Sequence, residues 1–392
     1  MRQRVINYTG LKAAILTMSF IQMATNAAAS ILADIAAEFP DAAVTEIQYL
    51  MTFPNLIMVG ASVLAARLAV RISKRTLAAA GLILAAAAGI FAFCFHSNLL
   101  ILYVWAGMLG MGAGIVVPMA NSLISDYFEG SERDVMLGYQ TGAANAGSMV
   151  MTYVGGVLAA AAWYMDYLVY LLALPGLLLT LLFVPKKNIK EENSPGKAKV
   201  KITLGRNDLG FCIVAAVYML LFYLGPTNIA LLLREKQIGN TMTAGTASAL
   251  ILLGGVTMGM CFGKLAEKIG RHTITLGFFF LSAGCLMICL REQLLFIYLG
   301  CVLIGTSNPL IMPQCMGGVV NEDKQRSTMM MSIVFAVANL GTFFAPGLTA
   351  VARTVMGTDT AASRFAFAWI VTGCLTVLSA VMVQWNKTAA KK

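Results

Sequence analysis

Twelve apolar stretches follow one another along this chain, near residues 11–33, 44–66, 76–95, 99–124, 136–161, 163–184, 208–233, 243–263, 273–291, 293–319, 327–352 and 364–385, with short polar breaks between them. A helix needs roughly 20 predominantly apolar residues to cross the hydrocarbon of a bilayer, and in lipid it satisfies every backbone polar group within its own segment. Each stretch is long enough for one crossing. Only 12% of the residues are charged, about half the share in a water-soluble domain, so there is too little polar side chain to cover a soluble fold. The expectation is an all-α membrane protein with twelve transmembrane helices, its solvent the lipid bilayer.

Lys and Arg resist translocation and collect on the cytoplasmic side. With the N-terminus inside, the inner segments hold 23 of the 28 Lys and Arg, and the outer loops hold Arg234, Lys236, Arg291, Arg353 and Arg364. That asymmetry predicts a multi-pass protein of the plasma (inner) membrane with both termini cytoplasmic. It also accounts for the net charge of +10 without a nucleic-acid partner. The first stretch follows Arg2, Arg4 and Lys12 and reads as a retained anchor rather than a cleaved leader. The one long hydrophilic segment, rich in Lys and Arg, lies near mid-chain. It divides the sequence into an N-terminal six-helix bundle (1–185), a cytoplasmic linker (186–207) and a C-terminal six-helix bundle (208–392). The eight cysteines lie in or beside apolar runs, without metal-ligand spacing, and read as small hydrophobes. No metal or cofactor is expected.

The two halves repeat each other. Residues 66–75 run Ala-Arg-Leu-Ala-Val-Arg-Ile-Ser-Lys-Arg and residues 263–272 run Gly-Lys-Leu-Ala-Glu-Lys-Ile-Gly-Arg-His, at an offset of 197. Gly110 precedes Pro118 by eight, as Gly305 precedes Pro313. Ala144-Asn145-Ala146-Gly147-Ser148 matches Ala338-Asn339-Leu340-Gly341-Thr342. A repeat of this length predicts two pseudo-symmetric bundles.

On these residues the chain resembles the major facilitator superfamily over its whole length. That family carries a Gly-x-Leu-Ala-Asp-Arg-x-Gly-Arg-Arg run after helix 2. Residues 263–272 are similar to it, with Glu267 in the acidic place, whereas Ala66, Val70 and Ser73 depart from it in the first copy. The resemblance implies a substrate site between the bundles at mid-depth and alternating access by rocking. Charges fixed at helix ends make ion pairs that must break when bundles separate. Arg71, Arg75, Gly263, Glu267, Lys268, Gly270 and Arg271 are therefore the candidate gate residues. The chain is most similar to the twelve-helix drug/proton antiporters, through the Gly-Met-Gly-Ala-Gly run at 110–114; Ala106 and Leu109 stand where those proteins place an arginine and a glutamine.

A polar side chain facing lipid is costly, so a polar helical face marks the bundle interior or a wet cavity. The first span carries Ser19, Gln22, Asn26, Ser30 and Asp34 at helical spacing; the fifth carries Thr141, Asn145, Ser148 and Thr152. With Asn121, Tyr139, Tyr223, Asn228, Asn308, Gln314 and Asn339, the residues Gln22, Asn26 and Asn145 make the candidate substrate-binding set. For Gln22, Asn26, Asn145 and Asn339, interhelical hydrogen bonds are the alternative. No Asp, Glu, Lys or Arg occupies the middle third of any span, so the expected cargo is a neutral or amphipathic small molecule. Asp34 is the candidate for proton coupling. The expected function is proton-coupled efflux by a monomeric secondary transporter; the alternatives are proton-independent uptake or exchange of a small metabolite, or a transport-dead sensor on the same scaffold. An enzyme is disfavoured, because His96 and His272 are the only histidines and no HExxH, GxSxG or Walker run is present.

Overall fold

The computed structural model describes residues 7–69, 71–186, 205–270, 272–290, 293–319 and 324–389. All regular structure among them is helical. In chain order the crossings are α1 (Tyr8–Ser30, continued past a 51° bend as Leu32–Glu38), α2 (Val44–Leu68), α3 (Lys74–Cys94), α4 (Leu99–Tyr127), α5 (Gly130–Ala159) and α6 (Trp163–Phe183). They continue as α7 (Asn207–Glu235), α8 (Thr241–Ile269), α9 (His272–Leu290), α10 (Leu294–Gly318), α11 (Lys324–Phe344, continued past a 53° bend as Gly347–Met356) and α12 (Ala361–Ala389). Nine of the described helices are long and apolar enough to cross a membrane singly, and each bent pair supplies one more crossing. The 30-residue α5 completes the twelve. The linker expected at 186–207 falls mostly outside the described residues.

Local chemistry sets the helix ends. Asn7, Ser73, Asn98 and Asn240 each accept a hydrogen bond from a backbone N–H in the first turn of the helix that follows, which satisfies one of the four donors every helix start leaves open. Gly270 ends α8 at φ +53°, a conformation that residues with a Cβ rarely adopt. Pro346 lies at the bend of α11, where a proline cannot donate to the preceding turn. The bend of α1 has no proline. It follows a run of tighter 3₁₀ turns over Phe20–Ser30, loosened further at Met23 (φ −117°, ψ 25°).

The described chain packs as two compact units. One gathers the chain up to Ile31 and from Phe53 through α6; the other gathers Leu32–Thr52 with α7 to α12. In the first unit α1 presents the buried face Leu11, Ile15, Met18 and Ile21, and packs against α5 and α6. In the second, α10 lies between α8 and α9, and α11 packs on the first part of α7. The bent end of α1, Leu32–Glu38, packs on the second part of α7.

The repeat reappears as contacts inside each unit. A Cβ on Gly110 of α4 would meet the Pro54 carbonyl of α2, and one on Gly305 of α10 would meet the Ile251 carbonyl of α8. One on Gly147 of α5 would meet Phe20 of α1, and one on Gly341 of α11 would meet the Ala216 carbonyl of α7. Glycine at these positions lets two helix backbones touch. Spacing alone does not identify such positions. Gly110 and Gly114 are close contacts, but a Cβ on Gly138 or Gly142 would meet nothing within 4 Å.

Candidate substrate and coupling sites

In the first unit the polar face of α1 meets the polar face of α5. The Asn26 side chain donates to Ser148 Oγ (3.2 Å), and Ser148 in turn donates to the Met23 carbonyl (3.1 Å). The hydroxyl thus takes up a carbonyl at the point where α1 loosens. Thr152 Oγ1 donates to the Ser148 carbonyl (2.8 Å), one turn back along α5. Asn145 donates to the Thr141 carbonyl (3.0 Å) and stays half-buried, whereas Asn121 and Tyr139 are exposed. Two side-chain atoms here, Gln22 Oε1 and Gln140 Nε2, are buried with no hydrogen-bond partner among the described residues. Buried polar atoms are nearly always paired, so these two are open positions for a ligand or water. Gln140 was not among the residues expected from sequence.

Asp166, in the first turn of α6, is completely buried. Its Oδ1 accepts from Ser30 Oγ at 3.3 Å, while Oδ2 has no partner among the described residues. Gly155 of α5 makes the room, since a Cβ there would meet Asp166 Oδ1. Sequence patterning missed this carboxylate because it lies close to the start of an apolar run and looks like part of a boundary.

In the second unit, Tyr218 OH donates to Ser307 Oγ (2.9 Å), which passes the bond on to the Ile304 carbonyl (2.6 Å). Asn308, from the expected set, also hydrogen-bonds Tyr218. Tyr223 and Gln314 are partly buried; Asn339 is buried and donates to the Phe335 carbonyl (2.8 Å). Asn228 has no capacity left for a ligand. Its Oδ1 accepts from Gln48 Nε2 (2.7 Å) and Arg364 Nη1 (2.9 Å), and its Nδ2 donates to the Leu224 carbonyl (2.9 Å) and Thr227 Oγ1 (3.2 Å). Arg364 was counted from sequence as an outer-loop charge; it is only 4% exposed and donates from Nη2 to Asp359 Oδ1 (2.7 Å). Asp34 is engaged at both oxygens, by Arg234 Nη1 (3.0 Å) and Thr241 Oγ1 (2.6 Å).

Around the loop after α2, Arg75 donates to the Val184 carbonyl (3.3 Å) and to that of Leu181, tying off the last turn of α6; Arg71 is exposed. Ser73, which stands where the family run has glycine, caps α3 instead. In the loop after α8, Gly263, Glu267 and Lys268 are exposed and Gly270 makes the turn; Arg271 lies outside the described residues. No group of three or more His, Cys, Asp or Glu that could hold a metal occurs among the described residues.

The sequence pattern of the Major Facilitator Superfamily matches residues 14–346. The chain belongs to that superfamily. Membership makes it a membrane transporter rather than an enzyme. Solved structures of other transporters share the fold, three of them as follows. A mutant of a peptide transporter, POT, aligns at a TM-score of 0.77 and 13% identity, covering 99% of this chain and 96% of that one. A mutant of the nucleoside transporter NupG aligns at 0.78 and 10%, covering 95% and 98%. A bacterial homolog of the human lysosomal transporter Spinster aligns at 0.69 and 13%, covering 95% of each chain. No curated protein sequence matches. The twelve-helix superfamily architecture accommodates peptide and nucleoside transporters alike, so the cargo has to be argued from this chain's own side chains.

Proposed function

We propose that this superfamily member moves a small neutral or amphipathic organic solute by alternating access, as a proton-coupled exporter in the plasma (inner) membrane with both termini cytoplasmic. The observation that carries the cargo class is chemical. The polar side chains along α1 and α5 at Gln22, Asn26, Gln140 and Asn145 are uncharged, and Gln22 Oε1 and Gln140 Nε2 are buried without partners among the described residues. Such groups recognise hydroxyls, amides and carbonyls, whereas a strong acid or base needs a counter-charge at its site. Within the second unit, Asn308, Gln314, Tyr223 and Asn339 are likewise uncharged polar side chains.

A screen of neutral and amphipathic solutes by thermal shift on the purified protein tests this, because a ligand that prefers the folded state raises the melting point. Hits should lose their shift in Gln22→Leu and Gln140→Leu. A protein that responds only to organic anions or cations would overturn the cargo class. A second reading, proton-independent uptake or exchange, is favoured by Ala106 standing where the antiporters place an arginine. Flux in proteoliposomes that proceeds at full rate without proton movement would select it.

A further inference from the structure

We propose that Asp166 binds the coupling proton and that Ser30 passes its protonation state to the bend of α1. The inference rests on the transporter reading and adds a site to it. Asp166 is fully buried, and no Lys, Arg or His side chain pairs with it among the described residues. Facing it are Ser30 from α1 and Gly155 from α5, with Tyr167 and Tyr170 on its own helix as the titratable neighbours. An ionised carboxylate taken out of water without a paired cation is expensive. One proton, taken from the aqueous phase onto either carboxylate oxygen, neutralises it.

Ser30 makes the neutralisation consequential. Its hydroxyl has one proton and two acceptors within reach, Asp166 Oδ1 at 3.3 Å and the Ala27 carbonyl at 3.1 Å. With Asp166 ionised, Ser30 donates to the carboxylate and the Ala27 carbonyl loses that bond. With Asp166 protonated, the carboxyl donates to Ser30 Oγ, and Ser30 donates to Ala27. A hydroxyl can serve in both arrangements because it donates one bond while accepting others. Ser30 is next to Ile31, the bend of α1, and beyond it lies the arm Leu32–Glu38, whose Asp34 is held by Arg234 and Thr241. The proton therefore sets the backbone bonding at the root of an arm that packs with the second unit.

Infrared difference spectra of the full-length protein in nanodiscs, recorded across a pH step, test the proposal without a known substrate. The wild type should show a protonated-carboxyl band that titrates, Asp166→Asn should lose it, and Ser30→Ala, which removes one hydroxyl, should shift its frequency. A second readout uses Glu38→Cys in a background without the native cysteines. Its alkylation rate, divided by that of a free thiol at the same pH to remove the thiolate effect, should change at least several-fold with pH, and that change should vanish on adding Asp166→Asn. Persistence of the band in Asp166→Asn, a band that responds to sodium rather than pH, or equal pH dependence of alkylation in both backgrounds would each overturn it. If Asp166→Asn does not fold, an unshifted band in Ser30→Ala overturns it instead. Because neither readout involves flux, a protein that passes both yet moves no solute would refute the transporter reading and leave the proton site standing.

Discussion

Two buried charges, Asp166 in the first unit and Arg364 in the second, are treated differently. In the second unit, the Arg364 guanidinium donates from its two Nη atoms to Asn228 and Asp359, its Nε alone lacking a partner among the described residues, and Asn228 is itself held by Gln48. In the first, the Asp166 carboxylate has, among the described residues, one long hydrogen bond and an oxygen with no partner. A buried charge that is paired and hydrogen-bonded holds packing together, and removing one partner is costly. A buried charge left open is a burden to the resting fold, which makes it a place to look for a transported or coupled species. The contrast separates structural polarity from functional polarity within one chain.

The largest test of that contrast is Arg364→Ala. Stripping Asn228 and Asp359 of their shared cation should cost about 3 kcal/mol, read as a fall in the melting temperature of the purified protein. Gly305→Ala comes next, at about 1–3 kcal/mol from overpacking against the Ile251 carbonyl, whereas Gly138→Ala, with open space around it, should stay within about 1 kcal/mol of the parent on the stabilising side. Smaller still is Asp34→Asn, whose ion pair with Arg234 is half in water and is worth about 0.2–1 kcal/mol. The last test, Asp166→Asn, should leave the melting temperature at neutral pH unchanged or raised. A drop as large as that of Arg364→Ala would erase the distinction between the two charges.

Much of the fold is readable along the chain because lipid makes hydropathy nearly sufficient: the spans and their number follow from where apolar runs start and stop. The repeat is readable too, and the contact of Gly110 with Pro54 and that of Gly305 with Ile251 give its physical basis. What is not readable depends on partners distant in sequence. Ser30 lies 136 positions from Asp166, as Asn228 does from Arg364. Patterning therefore places Arg364 in a loop, passes over Asp166, and offers Asn228 as a substrate contact where the structure uses it for interhelical bonding. The bend of α1 was equally hidden, since it uses neither proline nor glycine, while the bend of α11 was announced by Pro346.

Residues 32–52 are joined to the first unit at two places, one at the bend after Ile31 and the other between Thr52 and Phe53, inside the continuous helix α2. Two residues past that second junction stands Pro54, which has no N–H to offer the carbonyl of Leu50. The ladder of α2 thus lacks a rung at the very step where the helix changes company, and the other join falls at the 51° bend of α1, so both ends of the segment sit where the regular α-helical ladder is interrupted.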